Sequence, residues 1–158
     1  MSKSLKRVRA ALLAAGAPAD IRETALARTA ADAAAAIGCD IDQIAKSIVL
    51  RGETSGTALL FITAGGNQVD LDAAAALALE PLGKADAALI RAQTGFAIGG
   101  VSPVGHITAC PTWFDRRLFD FDEIWAAAGT PHHVFGLHPD QMMQISGAQV
   151  ADFTSLSK

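Results

Sequence analysis

Two stretches of the 158-residue sequence hold chemically capable residues that their local structure does not obviously need. In "AKSIVLR", Ala45 to Arg51, aliphatic residues read as a strand, and the period of two puts Lys46 on one face with Ile48 and Leu50. That face is expected to be the buried one. A lysine there either snorkels out at the strand's end or projects its ammonium into a cavity, where it can hold carbonyl or phosphate oxygens. The second stretch is "GGVSPVGH", with Gly99, Gly100 and Gly105 bracketing Ser102 and Pro103. Glycines permit positive φ and close approach, so successive N–H groups can converge on an oxyanion or phosphate; the competing use is a stiff connection between strands. No GK[ST] follows and no helix opens on the glycines, so this is neither a Walker loop nor a dinucleotide fingerprint. His106 abuts the loop and either contacts what the loop holds or faces solvent.

The other polar residues suit structural roles. His132 and His133 sit beside the turn "GTPHH", His138 where a helix cap is expected, and Asp40 and Asp42 where a turn is capped. Cys39 and Cys110 belong to no ligand or disulfide spacing, and no paired carboxylates or nucleophile elbow occur, so neither a metal nor a cofactor is expected. Unpaired cysteines fit a reducing cytoplasm. A formal net charge of −3 argues against a surface built wholly to grip phosphates. A local basic patch remains, with Lys3, Lys6, Arg7 and Arg9 the densest cluster, serving either as phosphate contacts or as a solvated helix face.

The elements that must position Lys46 and the glycine loop follow from periodicity and punctuation. Leu5, Val8 and Leu12 form a helical stripe ending at Gly16, which favours an amphipathic first helix over a secretory signal. No segment approaches transmembrane length. Thr29 caps an Ala-rich helix stopping at Gly38; "AKSIVLRGETSGTALLFITAG" reads as a hairpin; Asp70 opens a helix ending near Pro81, and another ends at Gly95. A strand is expected at Ile107 to Cys110, a helical turn around "FDRRLF", a second hairpin turning at Gly129 to Pro131, and a last helix opened by Pro139. With 51% hydrophobic residues, residues 1–158 suit a single domain of α/β class.

Lys46 heading an apolar strand in "DIDQIAKSIVLR", then "GFAIGGVSPVGH", then "AAGTPHHVFGLHPDQMMQISGA", together resemble the YbaK family, which is related to the editing domain of bacterial prolyl-tRNA synthetases. The resemblance runs from about Ala31 to Phe153 and implies a compact mixed β-sheet, partly barrel-like, with flanking helices. It implies a free-standing hydrolase that deacylates mischarged aminoacyl-tRNA, such as a proline tRNA carrying alanine or cysteine. Prolyl-tRNA synthetase is then a possible partner. By position, Lys46 matches the family lysine and Gly99, Gly100, Ser102, Pro103 and Gly105 match the loop; Lys46, Gly99, Gly100 and Ser102 are expected to act on the ester, and Pro103, Gly105 and the adjoining His106 to bind substrate. The resemblance departs at His106, where YbaK proper usually carries glutamine. The alternative is a non-catalytic module of the same fold that binds a nucleotide, an aminoacyl-tRNA or DNA.

Overall fold

The computed structural model describes residues 2–155. In chain order the elements are α1 (Lys3–Ala14), β1 (Ile21–Glu23), α2 (Ala30–Ile37), β2 (Ala45–Gly52), β3 (Ala58–Ala64), α3 (Leu71–Ala78), β4 (Leu82–Lys84), α4 (Ala87–Thr94), β5 (Thr112–Asp115), β6 (Ile124–Ala127), β7 (His133–Leu137), α5 (Pro139–Ser146) and β8 (Gln149–Ala151). Helix starts follow their caps: Ser2, Thr29, Asp70, Asp86 and His138 each accept a backbone N–H of the first turn. None of the described helices is long and apolar enough to cross a membrane.

Five strands form one mixed sheet in the order β4-β2-β3-β5-β8, antiparallel at β4-β2-β3 and parallel at β3-β5-β8. The antiparallel sheet β1-β7-β6 abuts it through a parallel bridge between Ile44 and Trp125. All seven residues of β3 are buried, because both faces of the sheet are covered. Leu60 and Ile62 join the main core with Val8 and Leu12 of α1, while Leu59 and Phe61 face a second cluster with Trp113 and Phe153. Burying these aliphatic and aromatic side chains is worth roughly 1.5–3 kcal/mol each before chain entropy is counted.

Two expectations need correction. The face carrying Lys46, Ile48 and Leu50 is only half buried, since Ile48 and Leu50 pack on the second cluster while Ala45 and Val49 of the opposite face meet the main core. Residues 107–110 form no strand. The N–H groups of Ile107 and Thr108 instead donate to the carbonyls of Thr94 and Gln93 at the end of α4, and pairing with β3 begins only at Thr112, after Pro111.

Candidate active site

β4 pairs with β2 only over Leu50–Gly52, so the first half of β2 lies open on that edge. There β2, β6, the loop at Ile98–Val101 and the segment leading into α2 enclose a cleft of about 590 Å³. Its walls are mainly apolar, including Ile44, Val49, Trp125 and Val134. Among the described residues its only fully charged lining side chains are Arg28 and Lys46, and no carboxylate lines it.

Lys46 is half buried, and its Nζ donates to the Gly65 carbonyl at 3.2 Å. No carboxylate lies within ion-pair distance among the described residues. Burial pulls its pKa below the ordinary lysine value, while Asp115 and Asp42 act at longer range in favour of the charged form. An ammonium held by a single carbonyl keeps donors available to a ligand.

The glycine loop divides into a part that faces the cleft and a part that braces it. Ile98, Gly99 and Val101 line the cleft, and Gly99 has φ +93° with open space where a side chain would go. The N–H groups of Gly99 and Val101 find no hydrogen-bond acceptor among the described residues. Gly100 N–H, in contrast, closes a turn onto the Ala97 carbonyl at 3.0 Å. Gly100 is needed for close packing: a Cβ there would lie 2.9 Å from both Gly129 O and Thr130 Cα, in the turn between β6 and β7.

Ser102, Pro103, Gly105 and His106 do not line this cleft. Ser102 is fully buried and its Oγ accepts the Val104 N–H. Gly105, at φ +79°, lies against the backbone of Arg7 and Val8 in α1. His106 Nε2 sits 2.6 Å from the Ser102 carbonyl, so that nitrogen carries the proton and donates it. Its ring meets Phe96 edge-on, and Cys110 Sγ lies 3.9 Å from Nδ1. Burial, reinforced by the nearby Arg7 charge and opposed by the Ser102 bond, lowers the His106 pKa and keeps the ring neutral. Pro103, Gly105 and His106 border a separate hollow of about 170 Å³.

The basic cluster is divided as well. Arg7 Nε donates to the Gly105 carbonyl at 2.7 Å and its guanidinium stacks on Phe96, leaving Lys3 and Lys6 exposed. Arg28, Trp125 and His133 line the cleft although the sequence reading gave them no site role. Arg28 was hidden because a single cation before a helix cap has no periodic signature. His133 reads as a turn residue, and its Nδ1 does pair with Thr130 Oγ1 at 2.7 Å. No group of three metal-ligating side chains occurs among the described residues.

Comparison with known proteins places these features in context. Residues 24–145 match the family described as the aminoacyl-tRNA editing domain. The fold superposes on the crystal structure of a candidate trans-editing enzyme for prolyl tRNA synthetase with a TM-score of 0.91, at 42% identity over 99% of each chain. A scaffold protein from work on computational epitope grafting matches equally, with TM-score 0.91 and 42% identity over 99% of this chain and 100% of its own. The uncharacterized protein YwhH of Bacillus subtilis strain 168 is 28% identical over 122 residues, 77% of each chain.

Proposed function

The chain belongs to the aminoacyl-tRNA editing domain family, and from that premise we propose that it is a single-domain trans-editing hydrolase that deacylates mischarged tRNA. The observation that carries this reading is the cleft: an acidic protein of net charge −3 lines its one large hollow with two cations and no carboxylate among the described residues. Such a cavity attracts an anionic ligand with an apolar end, which describes the aminoacylated 3′ terminus of a tRNA.

In the proposed reaction, water adds to the ester carbonyl and the carbonyl oxygen takes negative charge. Gly99 and Val101 line the cleft with N–H groups that have no acceptor among the described residues, and in this reading those groups donate to the developing oxyanion. Lys46 holds the ester or the adjoining phosphate by charge-assisted hydrogen bonds. The bond between the carbonyl carbon and the ribose oxygen then breaks, the ribose oxygen regains a proton, and the free amino acid leaves. Among the described residues no carboxylate lines the cleft as a general base, so in this reading the substrate's neighbouring ribose hydroxyl relays the water's proton. Gly100, Ser102, Pro103, Gly105 and His106 act by fixing the loop's path.

The substrate is a proline tRNA carrying a smaller amino acid such as alanine or cysteine, and prolyl-tRNA synthetase is the enzyme whose errors are cleared, in the cytoplasm. The resemblance to the candidate trans-editing enzyme for prolyl tRNA synthetase supports this choice. Incubating the protein with a panel of mischarged tRNAs tests it: alanyl- or cysteinyl-tRNA of proline type should lose its amino acid and prolyl-tRNA should not. Saturable binding without turnover on every member would instead make the protein a binding module.

A further inference from the structure

The two carboxylates that act on Lys46 at longer range, Asp42 and Asp115, are arranged in a way that the proposed reaction alone does not require. Asp42, in the short 3-10 turn Ile41–Gln43, is not the turn's cap; Asp40 is. Asp42 Oδ1 instead accepts the Gly66 N–H at 2.8 Å, and its Oδ2 receives Arg117 Nε at 3.0 Å. Asp115, at the end of β5 and only 4% exposed, accepts Ala64 N–H and Asn67 Nδ2 on one oxygen and Arg117 N–H on the other. Between them the two side chains grip the turn Ala64–Asn67 from both sides, and that turn is closed by Asn67 N–H on the Ala64 carbonyl. Gly65 lies within it, where a Cβ would clash with the Ile41 carbonyl oxygen, and its own carbonyl is the acceptor for Lys46.

Resting on the role assigned above to Lys46, we propose that Asp42 and Asp115 are positioning residues. They clamp the Ala64–Asn67 turn so that the Gly65 carbonyl aims the lysine ammonium into the cleft. Neither carboxylate pairs with Lys46 directly, because its ammonium must stay available to the substrate. Both still lie close enough to favour its charged form against burial. Arg117 completes the device: its side chain pairs with Asp42 and with Asp120 at 2.8 Å, and its backbone N–H donates to Asp115, so both carboxylates are held by one residue. The other charged or titratable groups lining the cleft are Arg28 and His133, which add no negative charge.

The test reads Lys46 itself. Reductive methylation with a ¹³C label gives each lysine an NMR signal, and the Lys46 signal is the one missing from Lys46→Ala. In the native protein it should titrate below the ordinary lysine value of about 10.4. In Asp42→Asn, on the accessible side of the clamp, that midpoint should fall further, by roughly one pH unit. Deacylation should drop about tenfold in kcat/KM, with the alkaline limb of its pH profile moving down in step. Asp115→Asn should behave likewise, and if its buried position prevents folding, Asp42→Asn decides alone. A folded Asp42→Asn protein with an unchanged Lys46 midpoint overturns the proposal. Since the titration needs no tRNA, it stands apart from the activity: a native protein that hydrolyses none of the panel would refute the proposed function, not the clamp.

Discussion

At the scale of single residues, the cleft makes Lys46 and Gly100 depend on different physics. Lys46 is anchored by one hydrogen bond in a half-buried position, so Lys46→Ala should leave the melting temperature nearly unchanged. It should reduce deacylation by roughly a hundredfold or more, the scale expected when a positioned charge is lost from a reacting site. Lys46→Arg should not rescue the rate, because a planar fork cannot reproduce a compact ammonium bonded to one carbonyl. Near-native rates in both folded variants would return Lys46 to the role of a strand residue. Gly100→Ala acts through shape: its new Cβ meets two backbone atoms at 2.9 Å, and backbone cannot swing aside as a side chain tip can. The loop or the β6–β7 turn must shift, at a cost of about 1–3 kcal/mol. Gly99→Ala, with open space but φ +93°, should cost only the roughly 1–2 kcal/mol of left-handed strain. Thermal melts of the two variants beside their deacylation rates check that order. An equal loss of rate in Gly99→Ala would put the obstruction at the ligand and not at the packing.

At the scale of the element, the glycine loop is held by α1 and by its own histidine. Arg7 grips the Gly105 carbonyl and His106 grips that of Ser102, so the loop is tied down just before its proline and again two residues after it. The folded ring resists protonation chiefly because it is buried, whereas the unfolded chain takes up the proton near pH 6.5. The unfolded state therefore binds more protons as the pH falls below that value. Stability should be flat above about pH 6.5 and should decline below it until the folded ring also protonates. His106→Gln keeps an N–H donor for Ser102 and removes the titration, so its melting temperature should fall less between pH 7 and pH 5 than that of the native protein. An equal fall would assign the acid response to other groups. The loop also shows what was legible in the sequence. Caps, stops and both hairpins follow from local rules, and so does the mixed α/β class; residue type marked Lys46 and Gly99, which do line the cleft, but could not separate them from Ser102, Pro103, Gly105 and His106, which do not. The three-residue strands β1, β4 and β8 were not legible, because a period of two needs more residues to declare itself. The inward turn of His106 and the division of the loop into a lining half and a bracing half were hidden too. Both depend on α1, which packs against the loop from far away in the sequence, and on Phe96, whose ring meets both His106 and Arg7.

At the scale of the whole molecule, the proposed function requires an acidic chain to concentrate its positive potential where the tRNA is held. The exposed Lys3 and Lys6 lie on α1, whereas Arg28 lies at the cleft with Lys46. If only the 3′ terminus of the tRNA is gripped, few phosphates are neutralised, and binding should weaken gently as salt increases. Each single-strand phosphate contact contributes a slope of about −0.7 in log K against log salt. Arg28→Ala should therefore flatten the slope by roughly that amount and weaken binding at low salt, while leaving thermal stability unchanged, since its guanidinium makes no hydrogen bond or ion pair among the described residues. The double variant Lys3→Ala, Lys6→Ala should leave the slope as it is. Fluorescence titrations of an uncharged tRNA at several salt concentrations measure both. A slope lowered by the lysine pair and untouched by Arg28→Ala would move the phosphate contacts from the cleft to the first helix, and the cleft's two cations would then need another ligand.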